Sequence, residues 1–288
     1  MISLFTLVTK HFRKSNKMIL YVFFIQAAFI TILTTFVITI IASKFERRAK
    51  NIFLLALFIS HLSYNLLMIT YWVLYWLHIK FPDFMIQLQA LFISNQMCYT
   101  MMMSIDRYLA VRYPFWYDNL SIGYIYKCIG VIALLCVVFT IITYLSNVAY
   151  ILGTVILLFG STILASINII LYQTVKKHFK SIQSLSVHET PSAAIGEEEK
   201  LKKQRLRSLK MCSVIVCSFV FLWTPFIACV FGFNNKTISP TWFYSAKFLA
   251  HFNPVCDFVV LVVFNREMKD SIQKYFTRKA NNVIEPEL

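Results

Sequence analysis

The sequence predicts an all-α membrane protein: a seven-transmembrane helix bundle with an amphipathic, interfacial eighth helix. Three observations predict it. Hydrophobic residues make up 58% of the 288 residues and charged residues only 14%, where a soluble domain carries about a quarter. Five long stretches hold no Asp, Glu, Lys or Arg, and a sixth holds only two such residues; about 20 apolar residues cross the hydrocarbon as a helix. Beyond the last of them, Phe264, Met268, Ile272 and Phe276 recur every fourth position among Arg266, Lys269, Lys274 and Arg278. That spacing makes one apolar stripe and one basic face, a helix lying on a membrane surface.

The spans follow in order. Uncharged runs cover Met18 to Ser43, Ile52 to Ile79, Phe84 to Ile105, Cys128 to Val175 and Met211 to Asn235, and the sixth segment, Ile238 to Phe264, carries Lys247 and Asp257. The run from Cys128 would be roughly 72 Å long as one helix, too long for one crossing. It is expected to fold back near Ser146-Asn147, which brings the number of helices to seven. The chain then divides into a short extracellular N-terminus (1–17), a seven-helix domain (18–264) with a cytoplasmic linker at 181–200, and an interfacial helix with a cytoplasmic tail (265–288). The linker is rich in Ser, Thr, Pro, Gly and Glu, between basic flanks that include Lys176, Lys177, Lys180, Lys202, Lys203 and Arg205. With the N-terminus outside, 21 of the 28 lysines and arginines face the cytoplasm, as loop charge requires. The first helix alone does not decide, because four basic residues stand on either side of it.

A net charge of +15 fits cytoplasmic loops facing anionic lipid. It does not indicate nucleic acid, since no soluble basic domain accompanies it. The basic residues before Met18 are too few for a folded ectodomain and read as the flank of a signal anchor. All seven cysteines fall in predicted helices, so the outer loops hold no disulfide despite facing an oxidising space. Asn235-Lys236-Thr237 is a glycosylation sequon in the last outer loop, and Asn119-Leu120-Ser121 would be cytoplasmic. Enzymatic activity has no support: there are no paired acids, metal-spaced histidines or nucleophile motifs. A transporter or channel would need a polar path and often repeated half-structures, and the chain has no internal repeat.

The most specific signal is Asp106-Arg107-Tyr108, followed by Ala110, Val111, Pro114, Phe115 and Tyr117. An acid and an arginine side by side at membrane depth are costly unless they pair or reach water. This D-R-Y-x-A-V-x-x-P run resembles the end of the third helix in rhodopsin-like (class A) G-protein-coupled receptors. The resemblance implies a receptor for an unknown extracellular ligand that activates a heterotrimeric G protein from the cell membrane. Asp106, Arg107, Tyr108, Pro114 and Phe115 would carry coupling, with Arg107 freed on activation. Segment six contains F-V-F-L-W-T-P-F, and Phe219, Trp223 and Pro225 resemble the family's activation switch. Proline inside a helix removes a backbone bond and kinks it.

Segment two resembles the family from Asn51 through Leu54 and Leu57. It then departs: His61 stands where the family has a sodium-binding aspartate, and Thr34-Thr35 replaces glycine–asparagine. Segment seven admits two alignments. In one, Asn253-Pro254 matches the family's N-P-x-x-Y and Lys247 falls on the retinal-binding lysine of opsins, but a surplus turn is left before Phe264. In the other, preferred because it needs no gap, Asp257 takes the aspartate of D-P-x-x-Y and Asn253 the asparagine one turn earlier; Phe258 and Leu261 replace proline and tyrosine. That alignment sets Asp257 opposite His61 at similar depth, a polar pair at the bundle centre, with Asn253 and Asp257 part of the switch. The missing outer cysteine before segment three, the minimal second outer loop and the absence of proline in segment five resemble the melanocortin and lysophospholipid receptors. Gln89 replaces the amine-binding aspartate, and Gln89 and Lys247 are the candidate ligand-pocket residues. No cofactor is expected. Retinal enters only under the alternative of an opsin-like photoreceptor using Lys247, for which the outer ends of segments three to five offer only Asp83 as counterion.

Overall fold

The computed structural model describes residues 17–44, 49–77, 79, 84–145, 159–160, 162–163, 165–170, 173–174, 193–234 and 239–284. The expected fold-back at Ser146-Asn147, the sequon at Asn235, Asp83 and the segment 181–192 lie outside these residues. Nine helices can be labelled among those described: α1 (Lys17–Lys44), α2 (Ala49–Trp76), α3 (Phe84–Arg112), α4 (Pro114–Asp118), α5 (Ile122–Leu145), α6 (Ala193–Asn234), α7 (Pro240–Ala250), α8 (Asn253–Phe264) and α9 (Arg266–Ile284). Short helical stretches between residues 159 and 174 lie where the fifth span is expected. No strand occurs among the described residues.

Helix ends differ from the limits of the apolar runs, because charge ends a membrane span but not a helix. α3 continues past Asp106 to Arg112, and α6 begins at Ala193, inside the expected 181–200 linker. The added turns of α6 are mostly Ala, Glu, Lys, Gln, Leu and Arg, strong helix formers that outweigh Ile195 and Gly196. The seventh span is interrupted at His251-Phe252. Pro254 has no N–H to donate to Ala250, and the chain tightens there: Phe252 N–H donates to Leu249 and Val255 N–H to Phe252, both at 3.0 Å.

Among the described residues α3 is the central helix, packed on α2, α4, α5 and α6. Neighbours in sequence pack together (α1 on α2, α2 on α3, α6 on α7), α3 also packs on α5 and α6, and α8 packs on α6 and reaches back to α1. Five helical segments are long and apolar enough to cross a membrane (21–43, 51–74, 122–142, 207–230 and 241–264). α3 falls short of that apolarity because it is the central helix. Its Asn95, Gln96, Thr100 and Ser104 are buried against other helices and never meet lipid. α5 is the reverse case. It is peripheral: among its described side chains it buries Ile125 and Cys136 and exposes Val131, Leu134, Leu135, Ile141 and Ile142; a lipid-facing helix must be apolar nearly all round.

Two apolar clusters lie at different depths. One, near Arg107, gathers Val37, Leu57, Phe58, Met103, Ile215 and Leu261. The other, near the far end, gathers Phe23, Tyr64, Met68, Trp72, Phe219 and Trp223. Lipid tails are as apolar as these side chains, so helix association rests on close packing and on hydrogen bonds between helices. α9 joins the first cluster: Met268 is buried and Ile272 packs against it. Part of its apolar stripe therefore faces the bundle, while the side chain of Phe276 lies outside the described set.

Candidate functional site

Buried polar groups occur at the Arg107 end, at the level of His61 and Asp257, and in the half that holds Tyr64, Lys247 and His251. At the first level, Arg107 and Asp106 are both buried. Arg107 Nε donates to Asp106 Oδ2 at 2.9 Å and its Nη2 reaches the same oxygen. Nη2 also donates to the Tyr117 hydroxyl at 2.9 Å, and Nη1 to Ser208 Oγ of α6 at 3.3 Å. Tyr117 in turn donates to Asp106 Oδ1 at 2.7 Å. Burial pushes the Tyr117 phenol up from its usual value, which keeps it protonated and able to donate. The acid and the arginine are thus neutralised by one another, as charges at this depth must be, and each is tied to a second element.

Tyr117 sits on α4, a single turn opened by Pro114 at its first helical position, where the missing N–H costs nothing. The same turn leaves Phe115 88% exposed beside the half-exposed Trp116. Tyr108 is half-buried next to Arg107. Sequence reading missed Tyr117 and Ser208 as partners. Tyr117 had a signal, since a tyrosine two residues beyond Phe115 belongs to the quoted motif. Ser208 had none, because its contact crosses 101 residues.

At the centre His61 Nε2 lies 3.0 Å from Asp257 Oδ2, each side chain 1% exposed. Asn253 Nδ2 donates to the same oxygen at 3.1 Å, and Ser218 Oγ lies 3.4 Å from Asp257 Oδ1. One carboxyl group therefore links α2, α6 and α8. The gap-free alignment of segment seven sets Asp257 at this depth, and it is Asp257 that meets His61, with Asn253 one turn before it. The level lies between the apolar clusters, His61 falling between Phe58 of one and Tyr64 of the other. His61 stands where the resemblance to the receptor family would put a carboxylate, and its imidazole has no oxygen to offer a hard cation such as sodium. Among the described residues no three His, Cys, Asp or Glu side chains converge in a metal-binding group.

Beyond the centre, the Phe219 and Trp223 rings meet at a tilt with centres 5.9 Å apart, and Tyr64 meets Trp223 edge-on at 6.5 Å. Pro225 lies inside α6 two residues further on. His251 Nδ1 is 2.6 Å from the Lys247 carbonyl, which can only accept, so Nδ1 carries the proton. Nε2 is then the acceptor for the Tyr64 hydroxyl at 3.2 Å. Gln26 Nε2 adds a bond to Phe248 O at 3.0 Å, so α1, α2 and α7 are tied together here. Lys247 is 7% exposed on α7, and Gln89 is equally buried on α3. The Gln89 Nε2 faces no acceptor among the described residues. A buried lysine amine is the group that could form an imine with a carbonyl compound.

No family model matches the sequence, and no curated protein sequence matches it significantly. Solved structures do match. The crystal structure of squid rhodopsin superposes with a TM-score of 0.74, covering 93% of this chain and 89% of its own, at 16% sequence identity. At that identity the likeness is one of fold, and the fold is the seven-helix bundle of rhodopsin.

Proposed function

We propose that the chain is a divergent rhodopsin-like G-protein-coupled receptor of the cell membrane, N-terminus outside, which turns binding of an extracellular ligand into activation of a heterotrimeric G protein. The observation that carries this reading is Arg107 held at once by Asp106, by Tyr117 and by Ser208 on α6. This is a latch between α3 and α6 at the end where a G protein would dock. α6 is one helix from Ala193 to Asn234 with Pro225 inside it. Ser208 lies 17 residues before that proline, a lever of roughly 25 Å. A swing of about 10° around Pro225 would carry Ser208 some 4 Å, enough to break its bond to Arg107. The freed guanidinium and the exposed Phe115 would then meet the G protein.

The test is second-messenger output across G-protein subtypes, without added ligand, in cells expressing the unmodified chain or Arg107→Ala. Output above background that disappears in the variant at equal surface expression supports the reading. Equal output from both refutes the role of Arg107. A second reading, an opsin-like photoreceptor, is favoured by the buried Lys247 and by the likeness in fold to squid rhodopsin. Retinal would bind there as an imine of the Lys247 amine. Purification with retinal decides it: a long-wavelength absorbance band present in the unmodified chain and absent in Lys247→Ala would replace the ligand-gated reading. Lipid is the remaining partner, against the exposed face of α5 and the basic face of α9.

A further inference from the structure

Cys98 on α3 and Cys136 on α5 meet where these helices pack. The Cys136 thiol donates to Cys98 Sγ with the sulfurs 4.0 Å apart. Cys136 is buried and Cys98 half-buried, and all seven cysteines of the chain are free. The pair belongs to none of the polar levels above. Cys98 lies eight residues before Asp106, roughly 12 Å along the helix, and Cys136 lies within the apolar span 122–142. Two thiols therefore face one another in the hydrocarbon. Among the described residues they are joined by no further His, Cys, Asp or Glu to make a larger metal-binding group.

We propose that Cys98 and Cys136 form a two-coordinate intramembrane site for a soft, monovalent metal ion of the copper(I) class. Thiolate sulfur selects soft ions. Protein zinc sites take three or four protein ligands, and calcium and magnesium require oxygen, so a bare sulfur pair suits none of the three. The spacing agrees. A metal–thiolate bond is about 2.3 Å, so two such bonds across the observed 4.0 Å enclose an angle of about 120° at the ion, and parting the sulfurs to about 4.6 Å, a shift of roughly half an ångström, makes the bridge linear. A disulfide would need the sulfurs at about 2.05 Å, half their present separation. Loading need not bury a charge, which would be costly here. A neutral copper(I)–thiolate donor gives up its copper–sulfur bond, and copper bonds to one cysteine as thiolate. The second cysteine coordinates as the intact thiol, and the displaced proton leaves on the donor thiol. Charge and electron count are unchanged, and the bound ion ties α3 to α5.

The test uses the full-length protein in lipid nanodiscs, loaded with copper(I) under anaerobic reducing conditions and then challenged with a copper(I)-selective chelator. The unmodified chain and Cys217→Ser are expected to retain the ion, and Cys98→Ser and Cys136→Ser each to lose it. X-ray absorption on the loaded, unmodified chain keeps the test independent of how well the variants fold, and two sulfur neighbours are expected. No retention by the unmodified chain, retention undiminished in either serine variant at the pair, or a copper shell of nitrogen, oxygen or more than two sulfurs would overturn the proposal.

Discussion

Removing His61 should weaken the bundle by an amount that reports what kind of contact it makes with Asp257. The two side chains lie 3.0 Å apart and are almost fully buried. His61→Ala leaves Asp257 with Asn253 at 3.1 Å and a long contact to Ser218 at 3.4 Å, so the carboxyl group is under-satisfied and not abandoned. Hydrogen bonds between membrane helices couple by about 0.6 kcal/mol on average and up to about 1.7 kcal/mol. Breaking a buried ion pair costs about 3–5 kcal/mol. Because two other donors remain on Asp257, we expect a coupling of about 1–2 kcal/mol for a shared-proton bond, and a value near 3 kcal/mol only for a full ion pair. The assay is a double-mutant cycle of His61→Ala and Asp257→Ala, read by unfolding in detergent. A coupling energy indistinguishable from zero would refute the pair. The same contact predicts that sodium does not alter the activity of the unmodified protein. His61→Asp combined with Asp257→Asn should introduce sodium sensitivity. Sodium dependence in the unmodified protein would mean that the imidazole does not fill the cation position.

Other expectations follow from the Arg107 end and from the cysteines. Phe115 is 88% exposed, and burying one phenylalanine is worth about 1.5–3 kcal/mol. Phe115→Ala should thus weaken G-protein coupling about tenfold or more at unchanged expression, and unchanged coupling would remove Phe115 from the docking surface. Tyr117→Phe deletes the hydrogen bonds to Asp106 and Arg107. At about 1 kcal/mol each before compensation, ligand-free signalling should rise several-fold, and a variant with unaltered basal output would show that Tyr117 is no part of the latch. All seven cysteines are free, so a membrane-impermeant reductant should leave thermal stability and signalling unaltered; a marked loss would reveal a disulfide in an outer loop.

What the sequence by itself determined is the class of the fold and the character of each element. Uncharged runs of membrane length and a basic amphipathic helix after them are local patterns, and hydrocarbon admits few ways to satisfy a backbone. Asp106-Arg107 and Pro225 were legible for the same reason, each being a costly or unusual residue judged against its immediate neighbours, whereas Phe115 and Trp223 were singled out only through the resemblance of their motifs to the rhodopsin-like family. Tertiary structure alone decided which polar groups meet. Ser208 carries no local mark, yet it closes on Arg107 across 101 residues. Cys98 and Cys136 read as two small apolar residues until the packing of α3 on α5 brings their sulfurs to 4.0 Å. Even the pairing of His61 with Asp257, suggested by depth, rested on how α2 and α8 are turned toward one another. Period and composition are set along one helix, but a hydrogen bond between helices depends on their rotation, tilt and depth, which only the packed bundle fixes.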